Sequence, residues 1–330
     1  MISTSASAAR YHFPAGPWGP FGCRCFLTSV ARSTALTALS LLAAVAMAEP
    51  PAKPPEPQSE TQLSTITVEA ERDRAKLEVR VKTFVSGITT APYLQSLARW
   101  NKEIPICPQV AGLPYLDGEY VLSRFSQIAM AAGASLAPEI CQPNLRIIVS
   151  SVPDELIAAL YEREPWMFDN ANGAKIRQFL HASAPVRVWY KTTYFNWDGR
   201  PCLLNQGFPV CTQDANVRLA ALRDLSSVIV LIDARRTKDI SMGQLAAYVA
   251  MVGLAEIRVD AKIGDAPTIL HLFTDPANAP ALGMSTWDTA YLKALYHTQH
   301  DDKTQLLALK ASMIEDIAPD AHTVTQKALP

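Results

Sequence analysis

The stretch "SSVIVLIDARR", residues 226–236, decides the fold because it contains an uninterrupted apolar run from Val228 to Ile232. A strand with one solvated face alternates apolar and polar residues, whereas a strand covered on both faces is apolar throughout. β-Branched Val and Ile fill most of this run and favour an extended backbone. The sequence therefore predicts a central sheet strand that is covered on both faces and ends in charged residues.

Segments before this strand predict the rest of the layer. Residues 144–151, "NLRIIVSS", are typical of a compact strand, and residues 185–195, "PVRVWYKTTYF", of a half-buried one. Helices are predicted over residues 118–134, from Pro153 onward, and in "AKIRQFLHAS". This order of elements predicts an α/β (α+β) fold, in which helices pack on a mixed sheet.

The segment after the central strand, "SMGQLAAYVAMVGLAEI" at residues 241–257, is predicted to be a helix. Ser241 followed three residues later by Gln244 is a capping box. One stripe then carries apolar side chains at helical spacing: Leu245, Tyr248, Val249, Val252 and Ala255. The final helix is expected from about Thr286 through Tyr296, with Thr286 as a possible cap.

The strand, this helix, the "ILHLF" patch and "GMSTWDTAYLKALY" together resemble a family of uncharacterised bacterial secreted proteins. The order of elements in that family is similar to the zincin-like metallopeptidase core. Zincins carry HExxH on this helix, where two His ligands hold zinc and the Glu polarises a water. If Gln244 takes the place of the Glu, Gly243 and Ala247 occupy the His positions, and none of the three can perform those roles. We therefore expect no metal, no cofactor and no catalytic residue here.

The first 48 residues are typical of a secretory signal. Three arginines and no acid precede the apolar run "ALTALSLLAAVAMA", which is too short for a membrane span, and cleavage is predicted after Ala48. Translation from near Val30 instead of Met1 would also give a complete signal, and an organellar transit peptide is the alternative interpretation. Residues 49–82 are expected to form a Pro-rich and charged linker or arm, and residues 83–330 a single globular domain.

Charge and cysteine content agree with export. Removing the three leader arginines and no acid changes the formal net charge from −1 to −4, so neither nucleic acid nor anionic lipid is an expected partner. Four cysteines then remain, and their spacing favours disulfides between Cys107 and Cys141 and between Cys202 and Cys211. The mature chain is predicted to be periplasmic or secreted, without a membrane span.

Polar residues near the strand ends are the first candidates for a site. Asp233 and Arg235 follow the central strand, where α/β folds place ligand sites, but we expect a salt bridge that closes the strand. His271 in "TILHLFT" is predicted to lie on a half-buried strand and to hydrogen-bond to the backbone. His297 and His300 could together bind a metal, although a polar helix end is the simpler interpretation.

These features predict a non-catalytic binding or structural protein of the bacterial cell envelope on a degenerate zincin-like scaffold. Its partner would be an envelope protein or a small ligand bound in a groove. The candidate groove residues are Arg187, Trp189, Asp233, Arg235, Gln244 and His271. The alternative is a periplasmic hydrolase related to metallopeptidases, with an unconventional site at His271, Asp233 or the His297 and His300 pair.

Overall fold

The computed structural model describes residues 59–90, 96–168, 173–196, 198–205, 208–213, 216–218, 221–258, 260–301 and 303–318. The predicted signal peptide, its cleavage after Ala48 and the Pro-rich residues 49–58 lie outside the described residues. Among the described residues, every helix is too short or too polar to cross a bilayer.

A mixed sheet of four strands forms the centre of the fold. Its strands are β1 (Pro108–Ala111), β2 (Leu145–Ser150), β3 (Val186–Phe195) and β7 (Leu222–Asp233), in the order β1-β2-β7-β3. β1, β2 and β7 are parallel, and β3 runs antiparallel to β7. A second, antiparallel sheet contains β4 (Leu203–Asn205), β5 (Phe208–Gln213) and β6 (Asn216–Arg218). The predicted α/β fold with a mixed sheet and packed helices is confirmed.

Seven α-helices are described around these sheets. They are α1 (Ser59–Ile88), α2 (Tyr115–Ala132), α3 (Pro153–Arg163), α4 (Gly173–His181), α5 (Met242–Leu254), α6 (Thr286–His297) and α7 (Gln305–Ile317). Gly133 ends α2 with a left-handed φ of 91°, and Ser285 caps α6 in place of the predicted Thr286. Ile269–Phe273 is a 3₁₀ helix and not the predicted strand.

β7 is covered on both faces, as the apolar run predicts. Val228, Val230 and Ile232 point into the larger core, which includes α2, α5 and α6. Ile229 and Leu231 point to the opposite face, into a smaller core that includes α3 and α4. Because successive strand residues face opposite sides, a run with no polar position is what two covered faces require.

The helix α5 is buried on more than the predicted stripe. Every residue from Leu245 to Leu254 is buried except Tyr248, which is partly exposed. Ser241 and Gln244 form the predicted capping box. A helix that is apolar all round lies inside a protein, and α5 fits this rule because it packs against the sheet, α2, α6 and the Ile269–Phe273 turn.

Residues 61–82 differ from the expected linker or arm. They belong to the single helix α1, and its Val81, Phe84, Val85 and Ile88 are buried in the larger core. The packed domain therefore begins inside α1 and not at residue 83. The exposed part of α1 carries opposite charges at helical spacing. Glu78 pairs with Arg74 at 3.9 Å and with Lys82 at 3.4 Å. Such pairs stabilise a helix where it makes few apolar contacts.

Both predicted disulfides are present. Cys107 is bonded to Cys141, which ties the start of β1 to the segment before β2. Cys202 is bonded to Cys211 and joins the β4 end of the small sheet to β5. The two bridges close loops of very different size, with sequence separations of 34 and 9 residues.

Candidate functional site

The zincin ligand positions on α5 are occupied by packing contacts. A β-carbon on Gly243 would lie 3.5 Å from the Tyr120 hydroxyl, and one on Gly283 would lie 3.5 Å from the Ala247 methyl group. Gln244 accepts a hydrogen bond from the Ser241 backbone and donates to the Pro280 carbonyl oxygen, each at 3.2 Å. These residues offer no donor set for zinc. Among the described residues, His, Cys, Asp and Glu form no group of three that could hold a metal ion.

His271 hydrogen-bonds to the backbone through its Nε2, as predicted, although it lies on a 3₁₀ helix. Its Nε2 donates to the carbonyl oxygen of Ala266 at 3.1 Å, and the side chain is buried. This hydrogen bond fixes the position of the ring inside the core. It therefore contributes to packing in the turn beside α5.

Asp233 and Arg235 form the predicted salt bridge at the end of β7. Arg235 Nε and Nη2 donate to the two carboxylate oxygens of Asp233 at 2.8 and 2.7 Å, and its backbone N–H adds a bond of 3.0 Å. These hydrogen bonds lower the pKa of Asp233. The pair stops the strand and begins a 3₁₀ turn, Ala234–Arg236.

Arg187 and Trp189 do not line an open groove, so that expectation is wrong. They point from β3 into the smaller core and are only 5% and 8% exposed, because α3 and α4 cover this face of the sheet. Arg187 pairs with Asp154 at 2.7 Å and donates to the Leu180 carbonyl oxygen at 2.7 Å. The Trp189 ring packs 5.4 Å from that of Phe179.

His297 and His300 are not brought together. His297 is exposed, and its Nδ1 contacts the carbonyl oxygen of Lys293 at 2.8 Å, within α6. His300 points inward and its Nε2 lies 2.7 Å from Ser96 Oγ. The two imidazoles therefore lie in different environments.

A buried polar cluster that the sequence did not predict surrounds His300. Asp224 of β7 is 4% exposed and accepts a hydrogen bond from Asn101. Arg99 donates to two carbonyl oxygens at the end of α6, at 2.6 and 3.1 Å. We call Ser96, Arg99, Asn101, Asp224 and His300 the Asp224 cluster. It joins residues 96–101, β7 and the loop between α6 and α7.

The Asp224 cluster brings together the residue types of a nucleophilic serine relay, but of its two contacts only that of Ser96 with His300 is a hydrogen bond. Ser96 Oγ accepts from the Arg223 backbone N–H at 2.7 Å and also lies 2.7 Å from His300 Nε2, a contact in which either atom can be the donor. The other ring nitrogen, Nδ1, lies 3.5 Å from Asp224 Oδ1, an atom that accepts no hydrogen bond from the described residues. In serine hydrolases a continuous hydrogen-bonded chain of these three residue types lets the imidazole take the serine proton.

Two further features of the Asp224 cluster oppose catalysis. Ser96 is only 1% exposed, so its hydroxyl is covered. The backbone N–H groups that could stabilise an oxyanion are also in use: Ser96 donates to the Ala221 carbonyl oxygen at 3.0 Å, and Leu97 to Gln305 Oε1 at 2.7 Å. The Asp224 cluster therefore links segments that are distant in the chain.

Burial determines the protonation of Asp224 and His300 in the Asp224 cluster. It raises the pKa of Asp224 from its ordinary 3.8 to about 6, against the opposing effects of the Asn101 hydrogen bond and the Arg99 charge. It also lowers the pKa of His300 from 6.5 to about 4, and the charge of Arg99 adds to that effect. His300 is therefore neutral at pH 7.

The sequence does contain one signal for this cluster. Arg223 and Asp224 are adjacent charged residues that come shortly before the apolar run, separated from Val228 by three residues, so a longer central strand would bury both. Buried charges need partners. Arg223 pairs with Glu256 at 2.8 Å, and Asp224 accepts a hydrogen bond from Asn101. The partners of Asp224 lie far away in the chain and carry no local pattern.

A groove lies between α2 and α6, on a different part of the surface. It has a volume of about 320 Å³. We call it the α2–α6 groove. It is lined by Arg124, Gln127, Ile128, Ala131, Ala132, Met284, Thr289 and Leu292. Beyond the groove, α2 also exposes the large apolar side chains of Leu116 and Tyr120.

Comparison with protein-family models, with curated proteins and with solved structures finds no match for this chain. The proposals that follow therefore rest on its own residues.

Proposed function

We propose that the chain is an exported, non-catalytic binding protein of the bacterial cell envelope. The observation that carries this proposal is the packing of α5. On the helix that would bear zinc ligands in a zincin, Gln244 instead bonds to the Pro280 carbonyl oxygen, and Gly243 and Ala247 have neighbours so near that a β-carbon added at Gly243 or at Gly283 would lie 3.5 Å from Tyr120 or Ala247. A helix used in this way supports a surface and performs no chemistry of its own.

Two disulfides support the proposed location, because such bonds form and persist in oxidising compartments. The predicted leader directs the chain to such a compartment. The resemblance to a secreted family with a zincin-like order of elements remains a prediction, and the proposed function does not depend on it.

The α2–α6 groove is the surface that best suits binding. It is concave, its floor is apolar, and polar groups lie at its rim, which are the general features of small-ligand sites. Of the six groove candidates from the sequence, Arg187 and Trp189 lie in the core, Asp233 pairs with Arg235, and Gln244 and His271 bond to backbone. The binding surface is therefore proposed at residues that the sequence did not select.

The proposal is tested by asking whether Ser96 reacts. Wild-type protein and Ser96→Ala are treated with a fluorophosphonate probe beside a known serine hydrolase, and untagged protein is analysed for zinc. We expect no labelling of either form and less than stoichiometric zinc, because Ser96 is covered and α5 has no ligands. Labelling that disappears in Ser96→Ala, or one zinc per chain, would overturn the non-catalytic proposal.

A further inference from the structure

We propose that the α2–α6 groove binds a single-chain anionic amphiphile, with the apolar chain on the groove floor and the acidic head group at Arg124. This inference names the ligand class of the binding protein proposed above and rests on that function.

The floor of the groove suits an apolar chain. Ile128 and Ala132 come from α2, while Met284 and Leu292 come from the other wall. Ala132 and Leu292 are buried beneath the surface, so the floor belongs to the packed core and is preformed. The volume of about 320 Å³ lies at the lower end of the range of about 300–1,000 Å³ for small-ligand sites. One narrow chain suits this space better than a folded partner.

The rim of the groove selects the charge of the head group. Arg124 is the only charged residue among the described lining residues. Its Nη1 donates to Gln127 Oε1 at 3.0 Å, and the described residues give it no carboxylate partner. Gln127 and Thr289 add neutral hydrogen-bonding groups beside it. A lining with one cation and no acid attracts an anion and repels a cation of the same shape.

Binding is measured by calorimetry with dodecanoate as the probe, below its micellar concentration in the same buffer. Dodecyltrimethylammonium is the control ligand because it has the same chain and the opposite charge. We expect dodecanoate to bind at one site per chain and the cation to bind at least about tenfold more weakly. Equal affinities would overturn the role of Arg124, and failure of dodecanoate to bind would overturn the ligand class.

Variants locate the site. Arg124→Gln removes the charge from an exposed position, and we expect it to raise the Kd of dodecanoate about tenfold. Arg72→Gln, at another exposed arginine, on α1, is its matched control and leaves the Kd unchanged. Ala131→Trp fills the groove and abolishes binding, whereas Ala75→Trp, at an exposed alanine of α1, does not. Circular dichroism and melting curves check that both tryptophan variants are folded.

Dodecanoate binding that survives Ala131→Trp, or an unchanged Kd in Arg124→Gln, would overturn the location. Labelling of Ser96 by the fluorophosphonate probe would overturn the non-catalytic function without changing any of these binding results. The two proposals can therefore fail separately.

Discussion

The helix α5 and the Asp224 cluster are both buried in the same domain, but they are held mainly by different kinds of interaction. α5 is held by apolar contacts along a continuous segment, with polar bonds only at its ends: a capping box at the first turn, and hydrogen bonds from Trp100, Tyr190 and Tyr296 to carbonyl oxygens of the last turn. The Asp224 cluster is held by hydrogen bonds between residues as far apart in the chain as Ser96 and His300, which are separated by 204 positions. Apolar burial is non-directional and leaves a periodic trace in the sequence. A polar cluster depends on direction and distance, and it leaves almost no trace.

The largest expected effect tests the apolar side of this comparison. Leu245→Ala removes a fully buried side chain of α5, and we expect it to lower the free energy of unfolding by about 3–4 kcal/mol, from lost burial plus a cavity. Leu307→Ala is the matched control, because Leu307 is 69% exposed on α7 and its loss should cost within about 0.5 kcal/mol. Urea unfolding of both variants measures the difference. Equal losses of unfolding free energy in the two variants would show that the burial of Leu245 in α5 does not stabilise the core.

The disulfides supply a second contrast, in which the chemistry is the same and only the loop length differs. In the chain-entropy model each bridge contributes about 3 kcal/mol, and the loop of Cys107 and Cys141 contributes about 1 kcal/mol more than that of Cys202 and Cys211. Replacing each pair by alanine should therefore lower the melting temperature by several degrees, with the larger drop for Cys107 and Cys141. The reverse order would indicate that strain or packing outweighs loop entropy here.

The polar side of the comparison is tested by pH. His300 has a folded pKa of about 4, below its ordinary 6.5, and Asp224 one of about 6, above its ordinary 3.8. Between pH 4 and 6 the folded state holds a proton on Asp224 and the unfolded state holds one on His300. The number of bound protons is then nearly equal, so in wild-type protein this pair contributes little pH dependence.

Single variants expose the two halves of this balance. In His300→Gln, the raised pKa of Asp224 remains, so the stability that it contributes is greatest at low pH and is lost as the pH rises through about 6. In Asp224→Asn, the lowered pKa of His300 remains, so its stability is greatest above pH 6.5 and is lost as the pH falls through about 4. As the pH falls from 7 to 4.5, we expect the free energy of unfolding relative to wild type to rise by about 2 kcal/mol in His300→Gln and to fall by about 2 kcal/mol in Asp224→Asn.

These slopes are read from urea unfolding at several pH values. The other charged neighbours, Arg99 and Asp301, are unchanged in both variants, so their effects cancel in the comparison. Slopes of the same sign in the two variants would show that the proton does not pass from His300 to Asp224 on folding.

The same contrast explains what the sequence could predict. The run from Val228 to Ile232 and the pattern of α5 specified the central strand, the covered faces and the capping box, because neighbours in the chain carry that information. Cysteine spacing predicted both disulfides. The groove candidates Arg187 and Trp189 failed because alternation along β3 shows two faces but not which one α3 and α4 cover. The Asp224 cluster and the α2–α6 groove depend on how separate elements meet, which local patterns do not encode.

The smallest expected effect returns to α5 and restores one zincin residue. Gln244→Glu keeps an acceptor for the Ser241 backbone and places an acid in the first turn, while it loses the bond of 3.2 Å to the Pro280 carbonyl oxygen. These terms oppose each other, so we expect the free energy of unfolding to change by less than about 0.5 kcal/mol. Added zinc should not raise the melting temperature, since Gly243 and Ala247 still offer no ligand and only binding to the folded state would stabilise it. A zinc-dependent rise in this variant, with none in wild type, would mean that other residues beside α5 complete a metal site and that the helix is more than a packing element.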